Sequence, residues 1–504
     1  MKPLFGTDEV KALEAHAALR GMPSSLLMEN AGAALARTAL RLASEEGRFF
    51  VVCGPGNNGG DGLVAARKLA ELGRCVQVEV VGGTSGLRGE PERNLRALTL
   101  VKLSVHVIQT DAPHSGDVVL DALFGTGLNR APEGDAAEAI RRIHKWRAQG
   151  AQVVAADVPS GLQSDSGHAF DPAVQADVTV SFGVWKRGIA LDAGPDASGE
   201  VEVVDIGLGT SAQEPTTWLL EPSDVLGWIP KRKTEGHKGS YGHLLLIAGS
   251  RGKSGAAAMA ALAALRAGVG LVTVATRLDA LDAVLCHAPE LMGFSLDRTG
   301  PLTLDDWPAL ASVFEGKRAL VVGPGIPRGE GTRALLERIL EHAPGPCLLD
   351  ADALNVVSEA PEVLKHAKWP VVLTPHPGEM ARLVRTSTEE VQKNRLALAR
   401  EFATTHGVTL VLKGARTLIA LADGNVRINP TGNPGMGTGG TGDVLSGIIG
   451  ALLAQGLPAA DAASAGVYLH GLAGDQMARV HGQAGLIATD LLEGLTRVWA
   501  KWDR

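Results

Sequence analysis

Two α/β domains, each built on an open and mostly parallel sheet, are what this chain predicts. Three observations carry the prediction. At 504 residues the chain exceeds one ordinary domain. Short apolar runs recur, most ending in glycine or acidic residues, and strands alternate with stretches of helical spacing. A polar, aperiodic segment from Thr210 to Thr217 separates two sets of such units and reads as a linker.

Composition narrows the function classes. Hydrophobic residues make up 45%, enough for two cores, but aromatics are only 4%, too few for stacking platforms along single-stranded nucleic acid. The net charge of −7 leaves no basic footprint, and Lys231-Arg232-Lys233 reads as a solvated face or lid. Cys53, Cys75, Cys286 and Cys347 are scattered without metal-ligand spacing, and the histidines form no HExxH pairing, so zinc has no support. A cytoplasmic protein is expected, because the N-terminus lacks a signal-peptide core and no stretch is long and apolar enough to span a bilayer.

In chain order, Met1 to about Arg48 reads as helices, with Met28-Glu29-Asn30-Ala31-Gly32 a polar break in the apolar pattern. Phe49 to Cys53 suits a buried parallel strand. It ends in the loop Gly54-Pro55-Gly56-Asn57-Asn58-Gly59-Gly60-Asp61-Gly62, and a helix follows from Leu63. Strand, glycine loop and helix is the nucleotide-binding arrangement of an open sheet, without the Lys-Ser/Thr of a Walker A loop. Further strands are expected at Cys75–Val81, Asp117–Phe124, Gln152–Asp157, Val178–Phe182 and Val201–Gly209. Strand ends gather at one crevice, so Asn58, Asp121, Asp157 and Ser160 are expected to converge there. Such oxygens suit a hard cation, and the backbone N–H groups suit ribose and phosphate.

The second set of units begins with Lys238-Gly239-Ser240-Tyr241-Gly242-His243 and a strand from Leu244 to Ala248. The small residues Ala256 to Ala258 imply tight packing or room for a ligand. Strands are expected at Leu271–Ala275, Ala319–Val322, Cys347–Asp350, Val371–Thr374 and Thr409–Leu412. The fourth runs into Pro375-His376-Pro377-Gly378-Glu379, where His376 can donate to a ligand. The fifth runs into Lys413-Gly414-Ala415-Arg416-Thr417, where Lys413 can offset phosphate charge.

The most informative stretch is Asn433-Pro434-Gly435-Met436-Gly437-Thr438-Gly439-Gly440-Thr441-Gly442-Asp443. Apolar pairs every four residues from Val444 announce a helix, so Asp443 sits at its N-terminus. Glycine N–H groups and the helix dipole make an anion site there. A carboxylate in an anion site repels the ligand, but it makes sense as the base that deprotonates a hydroxyl attacking phosphate.

These motifs carry a resemblance over nearly the whole length. Residues from about Lys238 resemble the ADP- or ATP-dependent NAD(P)H-hydrate dehydratases of the ribokinase-like fold. The carriers are Lys238 to Gly242, Gly323-Pro324-Gly325, Thr374 to Glu379, Lys413 to Thr417 and the glycine-rich stretch, where Gly437 stands in place of an expected Ala. Residues to about Gly209 resemble the NAD(P)H-hydrate epimerases through Gly56 to Gly62, Gly125 to Leu128 and Asp157 to Gly161. The resemblance implies a Rossmann-like α/β/α sandwich over 1–215 and a ribokinase-like domain over 222–504.

It also implies roles. Asn57, Asn58, Gly59, Gly60, Asp61, Gly125, Thr126, Gly127, Leu128, Asn129, Arg130, Ala131 and Asp157 would contact hydrated NADH or NADPH in the first domain. Asn58, Asp121 and Ser160 would hold potassium. Ala256, Gly325, His376 and Asp443 would contact the hydrate in the second domain. Lys413, Gly414, Ala415, Arg416, Thr417 and Gly442 would bind ADP or ATP, with magnesium on its phosphates. Asp157 and Asp443 would be catalytic, and a homo-oligomer that contacts neither nucleic acid nor membrane is expected. A ribokinase-type small-molecule kinase fused to a non-catalytic nucleotide-binding domain is the alternative, since it would share Asp443 and the anion site.

Overall fold

The computed structural model describes residues 1–108, 113–210 and 214–502. Ser211, Ala212 and Gln213 of the expected linker lie outside the described residues. The chain divides into two compact units, one of Lys2–Thr217 and one of Trp218–Arg504 with Met1.

The main strands of the first unit are β1 (Phe49–Cys53), β2 (Val76–Val80), β3 (Val118–Ala122), β4 (Gln152–Ala156), β5 (Val178–Phe182) and β6 (Glu200–Val204). They form one parallel sheet in the order β2-β1-β3-β4-β5-β6. All five residues of β1 are buried, as expected of a central strand covered on both faces. Each such apolar side chain contributes roughly 1.5–3 kcal/mol of burial. The winding direction reverses between β1 and β3, so the ligand crevice of an open sheet falls at their carboxyl ends.

Two expectations change here and one open reading is resolved. Lys2–Phe5 is a short strand paired in parallel with Trp185–Lys186, where a helix was expected. Met28 to Gly32, the polar break in the apolar pattern, lies within a helix that runs over Ser24–Leu42. A Cβ on Gly32 would stand about 2.5 Å from that of Val64, so this glycine is a helix contact. The expected loop Gly54 to Gly62 is shorter: the helix already begins at Asn57 and runs to Glu71. Asn57, Asn58 and Asp61 therefore belong to its first turns, with their side chains placed by helical geometry.

The second unit holds β7 (His243–Ile247), β8 (Leu271–Arg277), β9 (Met292–Leu296), β10 (Ala319–Val322), β11 (Cys347–Leu349), β12 (Val371–Leu373), β13 (Thr409–Leu412), β14 (Leu418–Ala420) and β15 (Val426–Ile428). Their order is β9-β8-β7-β10-β11-β12-β13-β14-β15. β9 through β13 pair in parallel, and β14 and β15 add an antiparallel edge. β9, β14 and β15 were not foreseen, because three to five residues beside turns carry too little periodicity. The direction reverses between β7 and β10.

Beneath this sheet the helices Ser254–Arg266 and Thr441–Ala454 pack closely. A Cβ on Gly447 would collide with the carbonyl oxygen of Ala260. Ala257 and Ala258 are buried in this contact, whereas Ala256 stays partly open beside Gly325. The two meanings of the alanine run therefore apply to different residues.

Candidate active sites

At the β1–β3 crevice of the first unit lies a cavity of about 600 Å³. Asn57, Asn58, Asp61, Gly125 to Arg130 and Asp157 line it, together with Lys11, Glu14, Met28 and Lys186. Gly59, Gly60 and Ala131 are not among the lining residues. A Cβ on Gly59 would collide with the Gly54 carbonyl, and one on Gly60 would meet the Met28 sulfur at 2.6 Å, so both let the helix approach its surroundings.

Beside the cavity, Asp121 closes β3 with no exposed surface. Its carboxylate accepts from Ser160 Oγ at 2.6 Å and Ser160 N at 2.8 Å. Burial pushes the Asp121 carboxyl up to about 6, against the opposing hydrogen bonds from Ser160 and Leu123. Ser160 Oγ also accepts from Phe124 N at 2.9 Å. The next residue, Gly125, abuts Asn58: a Cβ there would meet Oδ1 at 3.2 Å. Asn58 Nδ2 is buried without a hydrogen-bond partner. The oxygens of Asp121, Ser160, Asn58 and the neighbouring backbone form a donor set that fits a hard monovalent cation.

Asp157 follows β4 with φ +67°, a left-handed conformation that aspartate tolerates better than most residues. Its N–H donates to the Val180 carbonyl at 2.8 Å, and Oδ1 accepts from Phe182 N at 3.0 Å. Lys186 completes the clamp. Its ammonium pairs with Asp157 Oδ1, donates to the Phe182 carbonyl at 2.6 Å, and is 1% exposed. Asp61 is pushed well above the usual carboxylate range by burial and then by the charge of Asp157. Lys186 was assigned no role from sequence.

In the second unit the site is assembled from the carboxyl ends of β7, β10, β11, β12 and β13 and one helix start. Gly249 N donates to the Pro324 carbonyl at 2.7 Å, and Ser250 Oγ to the Gly325 carbonyl at 2.7 Å, joining the β7 and β10 loops. Gly325 has φ +69°, and a Cβ there would stand 3.4 Å from that of Ala256. His376 caps the helix Pro377–Leu383: its Nδ1 accepts from Gly378 N at 3.0 Å and Glu379 N at 3.3 Å. Nδ1 as acceptor leaves Nε2 as the N–H that can donate to a ligand. Burial, then the charge of Lys413, lowers the affinity of His376 for a second proton.

Asp443 lies in the first turn of the helix Thr441–Ala454, after Gly440 at φ +94°. Burial pushes its carboxyl up to about 6, the charges of Asp350 and Glu379 add to this, and Lys413 opposes it. Lys413 Nζ is 3.1 Å from Asp350 Oδ1 and 3.8 Å from Glu379 Oε2. A Cβ on Gly442 would lie 3.4 Å from that ammonium, so Lys413 reaches the start of the helix. Burial alone would lower the Lys413 pKa, but the two carboxylates outweigh it and raise it. Ser446, one turn beyond Asp443, donates to Asp350 Oδ2 at 2.6 Å.

The rest of the loop after β13 is shaped from within. Gly414 has φ +137° under the Arg395 guanidinium, Arg416 has φ +53° and donates to the Pro430 carbonyl, and Thr417 Oγ1 donates to the Gly414 carbonyl at 2.9 Å. Ala415 lies at the exposed turn between them. The helix Ala459–His481 braces the glycine-rich loop: Gly432 N and Asn433 Nδ2 donate to Asp475, and His470 Nε2 lies 2.9 Å from the Thr441 carbonyl. Asp350, Glu379 and Ser446 were assigned no role from sequence. The available signal was Asp350, a carboxylate closing a buried strand before Ala351 at φ +50°.

Among the described residues no helix is long and apolar enough to cross a membrane, and no three His, Cys, Asp or Glu side chains gather for a metal.

Comparison with known proteins agrees with this division. A family model described as NAD(P)H-hydrate dehydratase matches residues 244–497, and one described as YjeF-related protein N-terminus matches residues 24–188. The chain is similar to the bifunctional NAD(P)H-hydrate repair enzyme Nnr of Moorella thermoacetica, with 41% identity over 493 residues, covering 95% of this chain and 92% of that protein. It is similar to the Escherichia coli K12 protein of the same name, with 36% identity over 494 residues, covering 97% and 93%. The crystal structure of a ribokinase-like superfamily protein from Enterococcus faecalis matches at 29% identity and a TM-score of 0.50, covering 57% of this chain and 96% of that one.

Proposed function

The chain belongs to the bifunctional NAD(P)H-hydrate repair enzymes, and from that premise we propose how its two units divide the work. Residues 1–215 epimerise the R and S hydrates of NADH and NADPH. Residues 222–504 dehydrate the S epimer at the expense of ADP, giving AMP, phosphate and the reduced dinucleotide. The observation that carries this reading is Asp443 at a helix start beside Lys413, with a base-like carboxyl and an anion site in one place.

The hydrate carries a hydroxyl on a ring carbon next to nitrogen. Hydroxide leaves poorly and phosphate leaves well. Asp443 takes the hydroxyl proton as its oxygen attacks the terminal phosphorus of ADP, and AMP departs. The glycine N–H groups and Lys413 stabilise the transferring phosphoryl. The ring nitrogen's lone pair then expels phosphate, and loss of a proton from the adjacent carbon restores the double bond. His376, Ala256 and Gly325 orient the ring, and the loop Lys413 to Thr417 with Gly442 holds the nucleotide. Magnesium fits: Asp350 and Glu379 are two carboxylates beside the anion site, and nucleotide phosphates would complete the oxygen shell this ion requires. It would supply charge neutralisation on the phosphates.

In the first unit, Asn57, Asn58, Asp61, Gly125 to Arg130 and Asp157 bind the hydrated dinucleotide, Gly59 and Gly60 let their helix pack closely, and Asp157 transfers a proton in the inversion. Asn58, Asp121 and Ser160 would hold potassium, which would fix the β1 and β3 loops and offset phosphate charge. The four cysteines are free, which suits a reducing cytoplasm. The test is to mix hydrated NADH, magnesium and either ADP or ATP with the protein and follow the absorbance of reduced nicotinamide. No recovery with either nucleotide sinks the dehydratase reading. Faster recovery with ATP overturns the preference for ADP.

A further inference from the structure

A carbon that bears both a hydroxyl and the ring nitrogen inverts when water leaves from one face and enters from the other. That takes a proton donor as well as a proton acceptor, and Asp157 accounts for one of them. The cavity of the first unit holds a further carboxyl that the assigned residues do not include. Glu14 sits on the helix Thr7–Leu19, which buries Val10, Leu13 and Ala17. Val10, Lys11, Glu14 and Ala18 lie along one edge of that helix and line the cavity with Asp157. We propose that Glu14 is the second proton-transfer group of the epimerase, paired with Asp157. The proposal rests on the epimerase reading given above.

The charges around Glu14 support the role. Lys11 lies one turn before it on the same helix, Asp61 comes from the helix Asn57–Glu71, Asp157 from the end of β4, Lys186 from the short strand Trp185–Lys186 and Arg130 from the loop after β3. Protein volume around the carboxyl raises its pKa first, and the charge of Asp157 raises it further. Lys186 and Lys11 pull the other way and lose. Lys186 is committed to Asp157 and the Phe182 carbonyl, so it clamps the acceptor and leaves Glu14 to carry the proton. Glu14 keeps solvent contact within the cavity, as a group that meets substrate must.

The step balances. The Glu14 carboxyl gives its proton to the hydroxyl oxygen. The carbon–oxygen bond breaks, the ring nitrogen's lone pair forms the carbon–nitrogen double bond, and water leaves. Water adds to the opposite face, the double-bond pair returns to nitrogen, and the entering water's proton goes to Asp157. The reverse sequence starts from the other epimer with the roles exchanged. Between turnovers the proton returns through cavity water.

The test uses the full chain without nucleotide, so that dehydration is silent, and follows conversion of purified R hydrate to S by chromatography over pH 6–9. We expect Glu14→Gln to lower kcat by about 100-fold with little change in KM. We also expect the wild type to lose kcat/KM at high pH, Glu14→Asp to keep that loss at a lower rate, and Glu14→Gln to abolish it. Dehydration of S hydrate with ADP reports that each variant is folded. Epimerisation within twofold of wild type in Glu14→Gln overturns the proposal. So does a slow variant whose high-pH loss persists, which is what a merely structural role would give. If that loss disappears instead in Asp61→Asn, the donor is Asp61 and the proposal fails. A wild-type protein that dehydrates S hydrate but never interconverts the epimers overturns the epimerase reading itself.

Discussion

The dehydration rate should fall about tenfold between pH 7 and pH 5, and the cause is Asp443. Its carboxyl is pushed up to about 6 by burial and by the charges of Asp350 and Glu379. With that midpoint it is about 90% ionised at pH 7 and about 10% at pH 5, and only the ionised form can take the hydroxyl proton. A carboxyl at its ordinary value would lose almost nothing over this range. The same difference has a stability counterpart of opposite sense. The unfolded chain releases this proton near 3.8 and the folded chain near 6. Between those values the folded chain holds the proton, so stability falls as pH rises through the interval, and above it the buried charge costs about 3 kcal/mol at most. Asp443→Asn should therefore lose dehydration by about 100-fold or more while gaining roughly 1–3 kcal/mol in urea melts at pH 7.5. The gain should shrink to nothing near pH 4. Initial rates of absorbance recovery at saturating hydrate and ADP, with melts of both proteins, provide the assay. A flat rate from pH 7 to 5, or a wild-type rate in Asp443→Asn, would refute the reasoning.

Other parts of the molecule make separate predictions. Replacing potassium by tetramethylammonium should slow epimerisation and leave dehydration unchanged, and Asp121→Asn should abolish the response; an equal response in that variant would place the cation elsewhere. Arg277 and Asp306 are 4% and 3% exposed and form a two-pronged ion pair, with contacts of 2.6 and 2.9 Å. Asp306→Ala strands the guanidinium and should cost about 3–5 kcal/mol by chemical denaturation. Gly447→Ala drives a methyl into the Ala260 carbonyl and forces two helices apart. It should cost about 1–3 kcal/mol and also lower kcat, because Asp443 lies one turn away on the displaced helix; unchanged melting would show that the helices separate freely.

Strands β1, β3, β4, β7, β10, β11, β12 and β13 were legible because each is a short apolar run, most of them ending at a glycine or an acid and β12 and β13 at Thr374-Pro375 and Lys413-Gly414. So was the placement of Asp443 at a helix start, since the glycines before it and the four-residue repeat after it are local signals. Asn58, Asp121, Asp157 and Ser160 were expected together from the rule that strand ends share a crevice; Asn58 and Asp157 line one cavity, while Asp121 and Ser160 are hydrogen-bonded to each other beside it. The short strand at Lys2 to Phe5 was not legible. Its partner, Trp185–Lys186, lies some 180 residues away, and nothing in four residues announces such a pairing.

The sequence by itself determined the two α/β cores and the position of Asp443 at a helix start behind a glycine-rich loop. These depend on periodicity and backbone freedom, which neighbours in the chain set. Only the tertiary structure decided what surrounds those groups. It placed Lys186 on Asp157, Asp350 and Ser446 behind Lys413 and Asp443, and Glu14 in the wall of the first cavity. Proton affinity depends on the nearest charges and on the water that burial removes. Here those charges come from residues far apart in sequence, so no local pattern could have announced how tightly each carboxyl holds its proton.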